Sequence, residues 1–156
     1  MINQAYHLAQ VNIARMLAPL DDPIMAEFVA ALDEVNRLAD ESPGFVWRLQ
    51  TDDGNATTLR PYDDERILFN MSVWESVEEL HQYVYRTQHA KVMVKRKQWF
   101  SRFGGIYYAL WWIPAGHIPS IAEAKQRLEH LEQHGETPLA FHFRHPFPPP
   151  VGLALA

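Results

Sequence analysis

A few polar side chains lie inside segments that are otherwise apolar, and these are the residues able to do chemistry. Asn12 lies within the first apolar run, and Asn70 and Ser72 share one face of a later run with Trp74. His89 stands at helical spacing from apolar residues further along the chain. Few polar groups among many aromatic ones are the usual lining of a small-molecule site. The pattern therefore predicts a cavity for an aromatic or porphyrin-like ligand.

Each of these residues also has an ordinary structural interpretation. A histidine on the apolar face of a helix can be a core residue whose ring nitrogens bond to backbone groups, and this applies to His89. The amides of Asn12 and Asn70 can equally bond to backbone at the edge of a sheet. The residue pattern leaves both interpretations open.

The first elements that would position these residues follow from apolar periodicity and turn signals. We predict a buried strand at 6–15, a helix at about 23–40 and a strand at 45–50. In the last of these, alternation places Phe45 and Trp47 on the same face.

The second half of the chain repeats this order. A strand at 66–74 leads into a helix that we expect to begin at Val77 and, with a kink at 85–88, to carry His89 and Phe100 on one face. A strand buried on both sides is predicted at 106–114.

The order strand, helix, strand, strand, helix, strand is the split βαβ arrangement of ferredoxin-like folds. We therefore expect one α+β domain over 1–156. Its core, about 5–115, would hold an antiparallel four-stranded sheet, with an extra C-terminal helix at about 120–134 and an extended, proline-rich tail at 136–156.

Large aromatic residues on both faces of the second and fourth predicted strands would leave one sheet face uncovered. A homodimer packed face to face, as in a dimeric α/β barrel, is the simplest cover for it. The alternative is that the third helix and the tail fold over that face within one chain. Periodicity does not decide between them.

The composition excludes several classes of function. The chain has 14 lysines and arginines against 19 aspartates and glutamates, a net charge of −5, which disfavours nucleic acid as a partner. It has no cysteine, no basic apolar leader and no run long enough for a membrane span, so we expect a cytoplasmic protein with no membrane partner.

No metal site is predicted. His130 and His134 have the spacing of a zinc pair, but no third ligand accompanies them and Glu129 and Glu132 mark a solvated helix face. Motifs for dinucleotides, phosphate loops, simple zinc proteases and hydrolase elbows are absent.

Several segments resemble a known family. The segment Trp74-Glu75-Ser76, the run ending at His89, and Trp99-Phe100 resemble the antibiotic-biosynthesis-monooxygenase-like dimeric α/β barrels. A fuller set of segments is similar to the family of domains of unknown function numbered 3291: 8–15, 43–48, 70–76 and 111–117. The resemblance supports the fold and the dimer and implies little about chemistry.

The wider superfamily implies an asparagine on the first strand, a tryptophan late on the third and a histidine on the second helix, places that Asn12, Trp74 and His89 fill here. In a cofactor-free monooxygenase His89 would be the base and Asn12 the donor to the substrate oxyanion. In a haem-degrading enzyme the ligand would be haem, so the expected cofactor is none or haem.

The remaining ligand-binding candidates come from the same cavity and its rim. Arg96 belongs to a basic cluster that would attract an anionic group such as a carboxylate or propionate. The full set is Asn70, Ser72, Trp47, Arg96 and Trp99. Two functions stay open: a monooxygenase acting on an aromatic or haem-like ligand, and a non-catalytic ligand-binding or stress-associated dimer.

Overall fold

The computed structural model of the chain describes residues 5–51, 57, 59, 61–86, 88–101 and 105–150, and for Gln88, His89 and Val92 it describes the backbone alone. Their elements are β1 (Tyr6–Met16), α1 (Ala26–Glu41), β2 (Phe45–Arg48), β3 (Ile67–Trp74), α2 (Val77–Arg86), α3 (Gln88–Val94), β4 (Phe100–Ser101), β5 (Tyr108–Pro114) and α4 (Ile121–His134). Among these residues no helix is long and apolar enough to cross a membrane.

All strands join one antiparallel sheet with β1 at its centre. β3 pairs with one edge of β1 and β2 lies beyond it, while β5 pairs with the other edge. This is the strand arrangement of a ferredoxin-like fold. The predicted α+β class is confirmed, with one difference, because the two-residue β4 adds a fifth strand beside Arg15 and Met16.

The unpredicted strand and the early end of the second helix have one cause. Helix was expected as far as Phe100, but α3 ends at Val94, and Phe100 lies in β4. Trp99 is 2% exposed and packs in a cluster with Met16 and Met25. The burial of this large indole against the start of α1 stabilises the fold more than continued helix would, so the helix ends before Trp99. The prediction that His89 and Phe100 share one helical face was therefore wrong.

Two helix starts were predicted to within one residue, those of α2 at Val77 and α4 at Ile121. Ser76 Oγ accepts a hydrogen bond from the backbone N–H of Glu79 at 3.2 Å, and Ser120 Oγ accepts one from Glu123 at 3.0 Å. Both are N-terminal caps of the kind the sequence signals.

The two faces of the sheet have different covers. Odd-numbered residues of β1, such as Val11, face a cluster that contains Leu128 and Leu131 of α4. Even-numbered residues face α1 and α2. Helix α4 thus covers the second face within the chain, which is the alternative to a partner subunit that the sequence left open. The homodimer stays a prediction.

The C-terminal tail packs against the body of the same chain. Phe141 is fully buried and forms both backbone hydrogen bonds with Leu110 of β5. Phe143 and Phe147 are half-buried beside the cluster on the even-numbered side of the sheet. The tail therefore extends the free edge of β5 rather than covering the face beneath α4.

Candidate functional site

A cavity of about 280 Å³ lies between the even-numbered face of the sheet and the helices α1, α2 and α3. Strands β1, β3 and β5 form its floor because their alternating side chains point to this face. Its volume is near the lower end of the usual range for small-molecule sites, about 300–1,000 Å³.

The polar residues of the floor face one another across neighbouring strands. Asn12 lies directly opposite Asn70 in the pairing of β1 with β3, and Gln10 lies opposite Ser72. On the other edge of β1, Asn12 lies opposite Tyr108 of β5. Directly opposite side chains on antiparallel strands have Cβ atoms about 4.5–5.5 Å apart, so these groups form one polar patch.

Ser72 is the hydrogen-bonded centre of this patch. Its hydroxyl oxygen accepts a bond from Gln10 Nε2 at 2.7 Å and another from Trp74 Nε1 at 2.8 Å. A serine hydroxyl has two acceptor lone pairs and one proton to donate. With both lone pairs used, the hydroxyl proton is the group left to donate to a ligand.

The two asparagines of the floor keep their hydrogen-bonding capacity for other molecules. Asn12 is half-buried and Asn70 exposed, and both line the cavity. Among the described residues neither side-chain amide has a hydrogen-bond partner in the protein. Each amide offers two N–H donors and one carbonyl acceptor.

Aromatic rings form the wall at the α2 end of the cavity. Trp74 stacks on Tyr83 with ring centroids 5.1 Å apart, and Phe45 meets Trp74 edge to face. The hydroxyl of Tyr83 donates to the backbone carbonyl of Val35 at 3.0 Å. Burial raises the pKa of Tyr83, so its hydroxyl stays protonated and holds α2 against α1.

Two arginines line the cavity among the residues that the structure describes, and one of them is ion-paired. Arg48 pairs with Asp40 at 2.8 Å, and Arg96 lies over the ring of Tyr107, 5.5 Å from its centroid. Among the lining side chains that the structure describes, none is a carboxylate or an imidazole. This lining favours a neutral or anionic ligand over a cation.

The structure brings six of the eight sequence-predicted residues together, places Trp47 on the other face of the sheet and does not describe the side chain of His89. Asn12, Asn70, Ser72, Trp74, Arg96 and Trp99 all line the cavity. Trp47 packs in the cluster under α4, on the opposite face of the sheet. The side chain of His89 lies outside the described residues, although its backbone belongs to α3.

A β-bulge explains why Trp47 was placed on the wrong face. Phe45 pairs with Trp74, but Trp47 pairs with Val73, so the register shifts between them. Strict alternation would have kept Phe45 and Trp47 on one face. The extra residue of a bulge turns the following side chains over, and Trp47 joins the opposite cluster.

Some lining residues were missed by sequence reasoning. Gln10 precedes Asn12 by two residues on β1, so the alternation of side chains along a strand places both on the same face and could have identified it. The position of Tyr108 opposite Asn12 depends on the register between β5 and β1, which the sequence alone does not give. Phe143 comes from the tail, whose long-range docking leaves no periodic signal. Arg48 and Tyr83 were assigned to their elements but not to the cavity.

Neither a metal centre nor haem has support from the side chains described. No group of three or more potential ligands is placed to hold a metal ion among these residues. His130 instead bonds to the hydroxyl of Thr137 at 2.7 Å. Haem is one of the larger ligands of small-molecule sites, and a cavity of about 280 Å³ fits one or two fused rings better than a porphyrin.

Two solved structures illustrate the likeness to known folds. SnoaB, a cofactor-independent oxygenase from Streptomyces nogalater, is 15% identical, with a TM-score of 0.48 over 73% of this chain and 97% of that one. NE2512, a protein of unknown function from Nitrosomonas europaea, is 14% identical, with a TM-score of 0.44 over 76% and 99% of the two chains.

At the level of sequence, the chain matches a family model. No curated protein matches the chain. The model of the family of domains of unknown function, DUF3291, matches residues 7–154, nearly the whole chain, and the protein therefore belongs to that family.

Proposed function

We propose that the cavity binds a small, planar phenol or enol and that the protein is a cofactor-independent monooxygenase of that ligand. The observation that carries the proposal is the polar floor made by Asn12, Asn70 and Ser72 beneath aromatic walls. It offers hydrogen-bond donors to one oxygen atom while the rings of Trp74 and Tyr83 form an apolar wall for a flat ligand.

The charge of the lining selects the ionised form of such a ligand. Arg96 contributes a positive charge, and among the described lining residues no carboxylate opposes a phenolate or enolate. Hydrogen bonds to the anion lower the pKa of the bound hydroxyl. Asn12 and Ser72 thus act as oxyanion donors.

The reaction itself needs no group that the protein must supply as a redox centre. The electron-rich anion reduces O₂, and one oxygen atom becomes a carbonyl oxygen on a ring carbon in place of that carbon's single hydrogen. The second oxygen leaves as water, which takes up this hydrogen and the proton of the ligand hydroxyl. For a phenol the product is a quinone. The substrate supplies all four electrons that reduce O₂, so the reaction needs no external reductant.

His89 remains the proposed base for the ligand hydroxyl. It precedes Met93 by four residues on α3, which is about one helical turn, and Met93 lines the cavity. A base within hydrogen-bond reach would take the proton that the anion releases.

The test uses α-naphthol, whose two fused rings suit the volume, and two single variants. Wild type should bind about one naphthol per chain by calorimetry and consume one O₂ for each naphthoquinone formed. Asn12→Asp replaces a donor with a negative charge and should weaken binding roughly ten- to hundredfold. Gln126→Ala, on the exposed side of α4, should change neither quantity.

Absence of naphthol binding in wild type would overturn the proposal, and so would equal binding by wild type and Asn12→Asp. A second candidate function, non-catalytic ligand binding, is favoured by one observation. The described lining contains no carboxylate or imidazole that could act as a base. Binding without oxygen uptake would establish this second function.

A further inference from the structure

We infer that Phe143 of the C-terminal tail closes the β5 end of the cavity and determines how long a ligand the cavity accepts. The inference rests on the proposed function, because it concerns the ligand of the same cavity. It assigns to the tail a role in specificity, which its sequence did not indicate.

The tail is held on both sides of Phe143. Before it, Phe141 and Leu110 exchange backbone hydrogen bonds of 2.8 and 2.9 Å. After it, the indole Nε1 of Trp112 donates to the carbonyl oxygen of Phe147 at 2.9 Å. Two anchors on the same strand leave Phe143 little freedom to move away from β5.

The ring of Phe143 spans the gap between sheet and helix. Its centroid lies 5.9 Å from the ring of Tyr108 on β5. On α2 it lies 5.4 Å from the ring of His81 and 5.9 Å from that of Tyr85. Phe143 lines the cavity as well, so it is the side chain that a longer ligand would meet at this end.

The backbone of Phe143 also orients a polar group of the floor. Its N–H donates to the hydroxyl oxygen of Tyr108 at 3.2 Å. A phenol hydroxyl that accepts one bond still has its own proton to donate. Tyr108 lies opposite Asn12 on the floor of the cavity. The tail therefore contributes the apolar ring that bounds this end of the cavity, and it also orients a hydroxyl that can donate to a ligand.

Phe147 provides a matched control. It is a half-buried phenylalanine of the same tail and packs on Phe141, with ring centroids 5.6 Å apart. It does not line the cavity. Removing either ring loosens the tail, but only the loss of Phe143 lengthens the cavity.

The experiment measures calorimetric affinities for phenol, α-naphthol and anthrol, which have one, two and three fused rings. Wild type should prefer naphthol to anthrol. Phe143→Ala should shift the ratio of the two affinities toward anthrol by at least about tenfold, a change of 1.4 kcal/mol. Phe143→Trp should lower naphthol affinity, and Phe147→Ala should keep the wild-type ratio.

The outcomes separate this inference from the proposed function. An unchanged ratio in Phe143→Ala, while wild type binds naphthol, would overturn the inference and leave the proposed function standing. The same shift in Phe147→Ala would overturn it too, because general loosening of the tail would then explain both. If wild type bound none of the three phenols, both proposals would fail. Phe143→Leu, which keeps an apolar side chain, should show a smaller shift if Phe143→Ala fails to fold.

Discussion

Asn12 of β1 and Asn70 of β3 lie directly opposite each other on the cavity face of the sheet, and among the described residues neither amide has a protein partner. A partly buried polar side chain such as that of Asn12 is normally hydrogen-bonded, whereas Asn70 is exposed and can bond to water. Two residues away along each strand, on the same face of the sheet, Gln10 and Ser72 do bond to each other. The side-chain amides of Asn12 and Asn70 are therefore the groups of the floor that remain available to bond to a ligand.

Ser72 should be important for stability as well as for binding. Ser72→Ala removes the acceptor of Gln10 and of the buried indole of Trp74, and an unpaired buried donor costs about 1–3 kcal/mol. Urea unfolding should show a loss in this range. Ser101→Ala, which removes only a 3.5 Å contact to the carbonyl of Arg15, should cost less. Equal losses in the two variants would show that the Ser72 network contributes little.

The side chain of Glu79, in the first turn of α2, packs closely against Gly44. This glycine has φ +82°, and a Cβ atom there would overlap the carboxylate of Glu79. Gly116 has φ +93° and open space around it. Gly116→Ala should therefore cost only the backbone strain, about 1–2 kcal/mol. Gly44→Ala should cost that strain plus about 0.5–1.5 kcal/mol, because the displaced Glu79 carboxylate loses the bond that it accepts from the Ser76 hydroxyl. Thermal unfolding of both variants checks the order, and a smaller loss for Gly44→Ala would contradict it.

The link between β5 and α4 should make stability depend on pH. Partial burial acts to raise the pKa of Glu123, but the bonds from His117 and from the indole of Trp111 outweigh it and hold that pKa below its ordinary value. A carboxyl with a depressed folded-state pKa stabilises the fold above its unfolded pKa, about 4.3, and this contribution is lost as pH falls through the folded pKa.

The free energy of unfolding of wild type and Glu123→Gln, measured from pH 7 down to 3, tests this link. Wild type should be the more stable at pH 7, and the difference should shrink as the pH falls below about 4.3. A difference that stays constant over this range would show that the charge of Glu123 does not stabilise the fold.

The homodimer predicted from sequence needs a direct measurement, because α4 already covers the face on which it was based. Light scattering at micromolar concentration should give twice the chain mass of 18.1 kDa if the prediction is right. A monomeric mass would show that α4 replaces the partner subunit.

The sequence predicted the parts of the fold that depend on local patterns. Alternation in β1 and β3 placed Asn12, Asn70 and Trp74 on one face because side chains alternate along every regular strand. The capping serines Ser76 and Ser120 marked helix starts because a cap is a bond between near neighbours.

The sequence failed where distant contacts decide the structure. The bulge that turns Trp47 to the opposite face depends on pairing with β3, and the burial of Trp99 that ends α3 depends on α1 and β1. Phe143 reaches the cavity through pairing of the tail with β5. None of these contacts has a local signature in the chain.

The decisive experiment is a crystal structure of the protein with α-naphthol, grown without O₂ so that no quinone forms. In the proposed binding mode the naphthol rings lie between the sheet and α2, beside Trp74 and Tyr83, and the naphthol oxygen lies within about 3.2 Å of the amide nitrogen of Asn12 or the hydroxyl of Ser72. Naphthol bound elsewhere, or seated in the cavity with its oxygen away from both donors, would contradict it.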